Sequence, residues 1–259
     1  MPTATPKKRR PRTRRKVLIT GIGRHLGRLL AKRLDDRYEV VGLGRKAWEG
    51  GRPQSIKASA IALDRNKAED FFRRGDVDTV VHLEYVHSPR VRPSLRHRIN
   101  VVGTMRLLDH CRKYGVKKVV VLSTAHVYGA LPDNHPHIVE DDPVRADQDY
   151  VALRQMIEVD TYVRSWMYRH RDMRAAILRP CNIIGPSIRN SMSRYLRRRT
   201  CPTLLGYDPM LQFVHEDDMV ESLALAVEKR RATGAFNIAG PGVIPLSEAI
   251  REAGGRPLP

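Results

Sequence analysis

Cysteine is scarce in this 259-residue chain. The three it has, Cys111, Cys181 and Cys201, form no CxxC pair and no zinc-ligand spacing. Neither a disulfide framework nor a cysteine-held metal is expected, and free thiols in a reducing compartment are the corresponding reading. Long apolar runs are missing as well. No stretch approaches the roughly 18 to 20 continuous apolar residues that a membrane-spanning helix needs. The apolar run nearest the N-terminus, Val17 to Thr20, is only strand-sized. No secretory leader is expected on that pattern, and the expected compartment is the cytoplasm. Acids are also in short supply, 28 Asp and Glu against 47 Lys and Arg, for a net charge of +19.

Eight of those cations (Lys7, Lys8, Arg9, Arg10, Arg12, Arg14, Arg15 and Lys16) crowd into residues 1–16, with no acid among them. The interspersed prolines oppose an amphipathic helix, so residues 1–15 are expected to form a disordered basic arm. Such an arm binds nucleic acid or anionic surfaces weakly through counterion release. It is equally a solvated tail without a dedicated partner. Both readings stay open.

What the chain does have is rhythm, with enough apolar residues (41%) to bury a sizeable core. Short β-branched runs such as KVLIT, YEVVGL, DTVVHL, KKVVVLS and AAILRP alternate with segments of helical period. Alternation of this kind predicts βαβ crossovers and a parallel sheet covered on both faces, an α/β doubly wound, Rossmann-type fold. Residues 16–186 are the expected dinucleotide-binding domain. Past Gly185-Pro186 the rhythm loosens, and residues 187–259 read as a small subdomain with elements returning to the sheet. TGIGRHLG, Thr20 to Gly27, lies between the first strand and the first helix. Glycines there let backbone approach a pyrophosphate, and the helix start offers free N–H groups. His135, Pro136 and His137, followed by Glu140, Asp141 and Asp142, match no recognised ligand pattern. They read as a loop, and no metal is expected. Glu216, Asp217 and Asp218 are expected to cap a helix start.

Seven motifs in order resemble the extended short-chain dehydrogenase/reductase family, which contains nucleotide-sugar epimerases and dehydratases. TGIGRHLG is similar to its TGxxGxxG turn, Asp64 to the acid that contacts adenine, and TVVHL to the strand leading to the pyrophosphate. NVVGT (Asn100 to Thr104), LSTAHVYG (Leu122 to Gly129), LRPCNIIGP (Leu178 to Pro186) and QFVHEDDM (Gln212 to Met219) complete the series. The resemblance implies an NAD(P)-dependent epimerase, dehydratase or reductase acting on a nucleotide-sugar or another hydroxyl or carbonyl substrate. It implies Tyr150 as acid/base, Thr124 as a hydrogen-bond partner of the same substrate oxygen, and a cation four residues after the tyrosine. That cation holds the cofactor ribose and lowers the tyrosine pKa by favouring phenolate. Gly21, Gly23, Arg24, His25, Leu26, Gly27, Arg45, Asp64, Leu83, Asn100, Tyr150 and Arg154 are the implied cofactor contacts. Family habit further suggests a homodimer built on the helices near 95–114 and 148–170.

The chain departs from the family pattern at several of these positions. Arg24 stands where the middle glycine belongs, with Gly23 one place early. Gly44 replaces the acid that ends the second strand, and Arg45 and Lys46 follow it, which favours NADP over NAD. Glu84 and Tyr85 replace two small residues after the fourth strand; a carboxylate there repels a pyrophosphate unless it points away or pairs with a base such as Arg24. Arg154 replaces the lysine, keeping the charge and changing its shape. Met210-Leu211 and Gln212 replace a substrate-binding arginine and aspartate, leaving Arg194, Arg197, Arg198 and Arg199 as the nearby cations. The chain stops at GGRPLP, earlier than extended members, so a truncated substrate lobe is expected. Two alternatives to the enzyme follow: a catalytically weak or silent NAD(P)-binding sensor or scaffold, and a nucleic-acid-associated protein acting through its arm.

Overall fold

VLIT, TVVH, VVVL and AAIL carry apolar or β-branched residues without alternation, and the structure buries them on both faces of a sheet. The computed structural model describes residues 14–48, 50–63, 66–74, 76–88, 90–135, 137–146 and 151–259. Up to Pro180 the order is β1 (Lys16–Thr20), α1 (His25–Leu34), β2 (Glu39–Leu43), β3 (Lys57–Ser59), α2 (Asp70–Arg73), β4 (Val77–His82), α3 (Pro93–His97), α4 (Gly103–Lys113), β5 (Lys118–Leu122), α5 (Val151–Arg169) and β6 (Arg174–Pro180). Then come β7 (Asn182–Ile184), α6 (Ser191–Leu196), β8 (Thr200–Pro202), β9 (Met210–Leu211), β10 (Phe213–His215), α7 (Glu216–Glu228), β11 (Gly234–Ile238), β12 (Ile244–Pro245), α8 (Leu246–Glu252) and β13 (Arg256–Leu258).

Seven strands pair in parallel in the order β11-β6-β5-β4-β1-β2-β3. This is the α/β doubly wound fold that the strand rhythm predicts. The chain leaves β1 toward β2 and β3, then returns to β4 on the other side of β1. The order therefore reverses between β1 and β4, and a crevice opens outside their carboxyl ends. Leu30, Ala31 and Leu34 of α1 and Met219, Leu223 and Ala224 of α7 cover one sheet face. Leu107 and Leu108 of α4, with Met156, Val159, Val163 and Trp166 of α5, cover the other. A third, small cluster of Leu196, Cys201, Ala249 and Ile250 holds α6 and α8 together. The short pairs β7–β10, β8–β13 and β9–β12 surround it.

The helix expected near 95–114 is not continuous. A π-type turn over Arg98–Val102 joins α3 to α4. One extra residue per turn re-aims the side chains that follow, a feature frequent at functional sites. The α7 cap also differs from expectation. His215 is the cap, its Nδ1 accepting from the Asp217 backbone N–H at 3.3 Å. Glu216 turns away to accept from the Ser187 backbone N–H at 2.9 Å and from the Ser187 hydroxyl. Asp217 and Asp218 stay in the first turn, where negative charge suits the helix dipole. The basic arm expected over residues 1–15 falls almost wholly outside the described residues. Among the described residues no helix is long and apolar enough to cross a membrane.

One ion pair ties the layers together. Arg179 of β6 and Asp160 of α5, both fully buried, meet through Nη2–Oδ1 at 2.6 Å and Nε–Oδ2 at 3.0 Å. Ser123, just past β5, donates to the same carboxylate at 2.6 Å. The remaining Nη1 of Arg179 donates to the Tyr128 hydroxyl at 2.7 Å and the Glu140 carbonyl at 3.1 Å. Removing one partner strands a buried charge, so Asp160→Ala is expected to cost about 3–5 kcal/mol in urea unfolding. The double variant Asp160→Leu/Arg179→Met is expected to lose much less. Equal losses in both would show that the charge pair is not what holds α5 to β6.

Candidate active site

The first strand ends in a turn built for close approach. Gly21 has φ +73°, and a Cβ there would sit 3.0 Å from the Leu83 carbonyl carbon and oxygen. A Cβ on Gly27 would lie 2.4 Å from the Gly21 oxygen, so α1 presses directly on the turn. Gly23 backs onto the loop after β2, its virtual Cβ 2.2 Å from the Lys46 carbonyl oxygen. Arg24 occupies the α1 cap position in extended conformation but makes no side-chain cap bond. The helix start at His25 and Leu26 therefore lacks a side-chain acceptor at its cap, a ready anion site. The His25 imidazole is held below its usual pKa by burial and then by Arg28. Arg45 and Lys46 are exposed beside this turn.

At the end of β4, a hydrogen-bond chain runs through a buried histidine. Thr104 gives its hydroxyl proton to the Asn100 carbonyl at 2.5 Å, so it accepts from His82 Nε2 at 2.9 Å. His82 Nδ1 is left to accept from the Thr20 hydroxyl at 2.7 Å. Thr20 Oγ1 in turn accepts the backbone N–H groups of Leu83 and Glu84, at 3.1 and 3.3 Å. Burial alone lowers the His82 pKa to about 3, so the ring is neutral at physiological pH. Asn100, placed by the π-type turn, accepts from the Val86 N–H and donates to the Val86 carbonyl and to Gln155. Its amide holds the segment after β4 against α5. The two bulky residues after Leu83 part company there. Tyr85 enters the core against the His82 ring, centroids 4.7 Å apart. Glu84 turns to the glycine turn with its side chain 1% exposed, and Arg24 Nε is 3.7 Å from its Oε1.

Thr124 follows β5 at the same carboxyl edge. Its Oγ1 lies 2.7 Å from His126 Nδ1 and accepts the His126 backbone N–H at 3.3 Å. Arg154 is in the first turn of α5 and exposed, whereas Gln155 and Met156 beside it are buried. Tyr150 and Asp64 lie outside the described residues, so the structure describes no distance from Tyr150 to Thr124 or Arg154. What it does bring together is the turn Gly21–Gly27, Leu83, Glu84 and the β2 end at Gly44. Arg197 lies across the edge, donating to the Gly185 and Pro186 carbonyls at 3.0 and 3.3 Å.

Residues 17–239 match the family model described as "NAD dependent epimerase/dehydratase family". The chain belongs to that family. An uncharacterized protein of Mycobacterium tuberculosis is 35% identical over 256 residues, covering 94% of this chain and 67% of its own length. The UDP-glucose 4-epimerase of Bacillus subtilis is 27% identical over 286 residues, covering 94% of this chain and 83% of its own. The UDP-glucose 4-epimerase of Thermus thermophilus, solved in complex with NAD, superposes with a TM-score of 0.79 at 24% identity. That likeness spans 94% of this chain and 86% of the other, and it is a likeness of fold.

An NAD-type dinucleotide is the cofactor expected of an epimerase/dehydratase-family chain, and the crevice suits one. A cradle that a single Cβ would fill, a helix start without a side-chain cap and a buried carboxylate with no well-formed hydrogen bond among the described residues all lie where such folds bind their ligand. The sequence reading missed His82, Gln155 and Asp160. His82 and Thr104 lie inside quoted motifs, but nothing in those motifs says that the two meet through a ring nitrogen.

The neutral His82 carries a pH signature. Its folded pKa is depressed from 6.5, so it weakens the fold only where the unfolded chain takes up the proton. Stability from this group is intact above pH 6.5 and falls as pH drops from there toward about 3, by up to about 1.4 kcal/mol per pH unit. Urea midpoints between pH 7.5 and 5 are expected to show a shallower slope in His82→Gln than in wild type. Parallel slopes would mean that the ring is not held neutral.

Proposed function

We propose that the chain uses an NAD-type dinucleotide to oxidise or epimerise a hydroxyl-bearing carbon of a nucleotide-sugar substrate. The observation that carries this reading is the juxtaposition, at one sheet edge, of the glycine turn at the β1/β4 reversal with Thr124 at the end of β5. Gly21, Gly27 and the start of α1 would hold the pyrophosphate, with Arg24 beside it. The bound nicotinamide supplies the hydride acceptor and donor. Thr124 Oγ1 hydrogen-bonds the reacting substrate oxygen, exchanging its contact with His126 for one with substrate. The Tyr150 phenolate takes the proton of that oxygen and, as the phenol, returns it, and the Arg154 charge favours the phenolate. Arg197, which donates to the Gly185 and Pro186 carbonyls, and Arg194 on the helix before it are the cations that would meet a substrate diphosphate. The name of the Bacillus subtilis relative supports a UDP-sugar as the first substrate to try.

A silent dinucleotide-binding sensor is the second reading, favoured by Arg154 in place of lysine and by the buried Glu84 in the crevice. Turnover separates the two. With NAD added, wild type is expected to interconvert UDP-glucose and its C4 epimer. Tyr150→Phe is expected to lose at least about 100-fold in kcat, and Arg154→Lys to keep cofactor affinity. Dinucleotide binding without turnover of any UDP-sugar would establish the silent reading instead.

A further inference from the structure

Glu84 is an anomaly in its own surroundings. Its side chain is 1% exposed, yet among the described residues neither carboxylate oxygen makes a well-formed hydrogen bond, and only loose approaches from Arg24 and the Arg45 backbone amide reach it. The Arg24 Nε 3.7 Å away is likewise without a hydrogen-bond partner. A carboxylate buried in this way costs free energy until donors reach it. Burial accordingly pushes the Glu84 carboxyl up, while Arg24 and the Arg45 backbone amide pull the other way.

Where the carboxylate points is specific. It starts at the end of β4 and ends beside Gly44, at the end of β2. A Cβ on Gly44 would lie 2.8 Å from Glu84 Oε2 and 3.2 Å from the Gly21 Cα. The Glu84 backbone N–H already lies over the end of β1, donating to Thr20 Oγ1 at 3.3 Å, so the side chain has only the step from β1 to β2 left to cross. It crosses that step only because the residues just past β1 and β2, Gly21 and Gly44, offer no side chain in its path. In dinucleotide folds the end of the second strand is where an acid receives hydrogen bonds from the adenosine ribose hydroxyls. Here glycine follows that strand, and the carboxylate arrives from the end of β4.

We infer that Glu84 supplies, from β4, the carboxylate that binds the ribose hydroxyls of the adenosine half, so that this chain selects NAD over NADP. Two hydroxyl donors would satisfy both orphaned oxygens. A 2′-phosphate would instead place two negative charges together in a buried site, outweighing the exposed Arg45 and Lys46. The inference rests on the dinucleotide-binding reading above and reverses the preference that Gly44, Arg45 and Lys46 suggest by themselves.

The test is calorimetric titration of the full chain with NAD and with NADP, which needs no turnover. Wild type is expected to bind NAD at least about tenfold more tightly than NADP, and Glu84→Gln to lose at least about tenfold toward NAD alone, as loss of a charged hydrogen bond implies. The NAD-to-NADP ratio within one variant is insensitive to general loss of folding, which would lower both affinities alike. A second pair makes the assignment reciprocal. Gly44→Asp alone is expected to bind neither dinucleotide, because its side chain meets Glu84. Gly44→Asp/Glu84→Ala moves the acid to β2 and is expected to restore the NAD preference. A ratio unchanged in Glu84→Gln, or a wild-type preference for NADP, overturns the inference and leaves dinucleotide binding standing. A wild type that binds neither while Glu84→Ala binds both also overturns it, the carboxylate then being a plug. Failure of wild type and every variant to bind either overturns the dinucleotide reading itself.

Discussion

The crevice depends first on the Asp160–Arg179 pair, two fully buried opposite charges. Such a pair does little for net stability, because desolvation offsets most of the attraction. Its effect is positional. Guanidinium and carboxylate meet in one geometry, so α5 cannot slide along β6. Ser123 on the same carboxylate fixes the end of β5, one residue before Thr124. Tyr128, accepting from Arg179 and donating to Asn237 at 2.8 Å, ties the following turn to β11. On the other side of the crevice, the chain Thr104–His82–Thr20 does the same for β4 and β1 using neutral groups. The two networks leave the edge between them little freedom, which is what a site that orients a large ligand requires.

The layered fold was legible because its signal is local and repeated. Runs such as VLIT and VVVL, buried on both faces, carry their own evidence, and the glycines of TGIGRHLG lie where a strand becomes a helix. The shortest pairings of the small lobe were not legible. β9 and β12 hold two residues each, too few for a period to show, and they exist only because they pair with each other. The break in the 95–114 helix was hidden too, since RINVV is an ordinary helical stretch in composition. His215 as a cap was missed because three acids beside it fit the usual pattern better.

The candidate site divides along the same line. Gly21, Gly27 and Thr124 were visible as motif letters, and the structure gives them reasons: a positive φ, a helix pressed on a turn, a strand end. Glu84 was visible only as a misfit. Its meaning depends on Gly44, 40 positions away along the chain and adjacent in space only through the β4-β1-β2 order. A linear reading sees one acid lost and another gained. The folded chain brings the gained acid up against the position of the lost one, its Oε2 2.8 Å from where a Cβ on Gly44 would sit. Arg154 differs in kind, for it sits on the exposed side of α5.

The central claim is that this edge is a dinucleotide site whose acid has moved from β2 to β4. A crystal structure of the chain grown with NAD tests it most directly. The account predicts the pyrophosphate on the Gly21–Gly27 turn and both adenosine ribose hydroxyls within hydrogen-bond distance of Glu84. NAD bound with its ribose turned away from Glu84, or the Glu84–Arg24 pair filling the turn in its place, would contradict it.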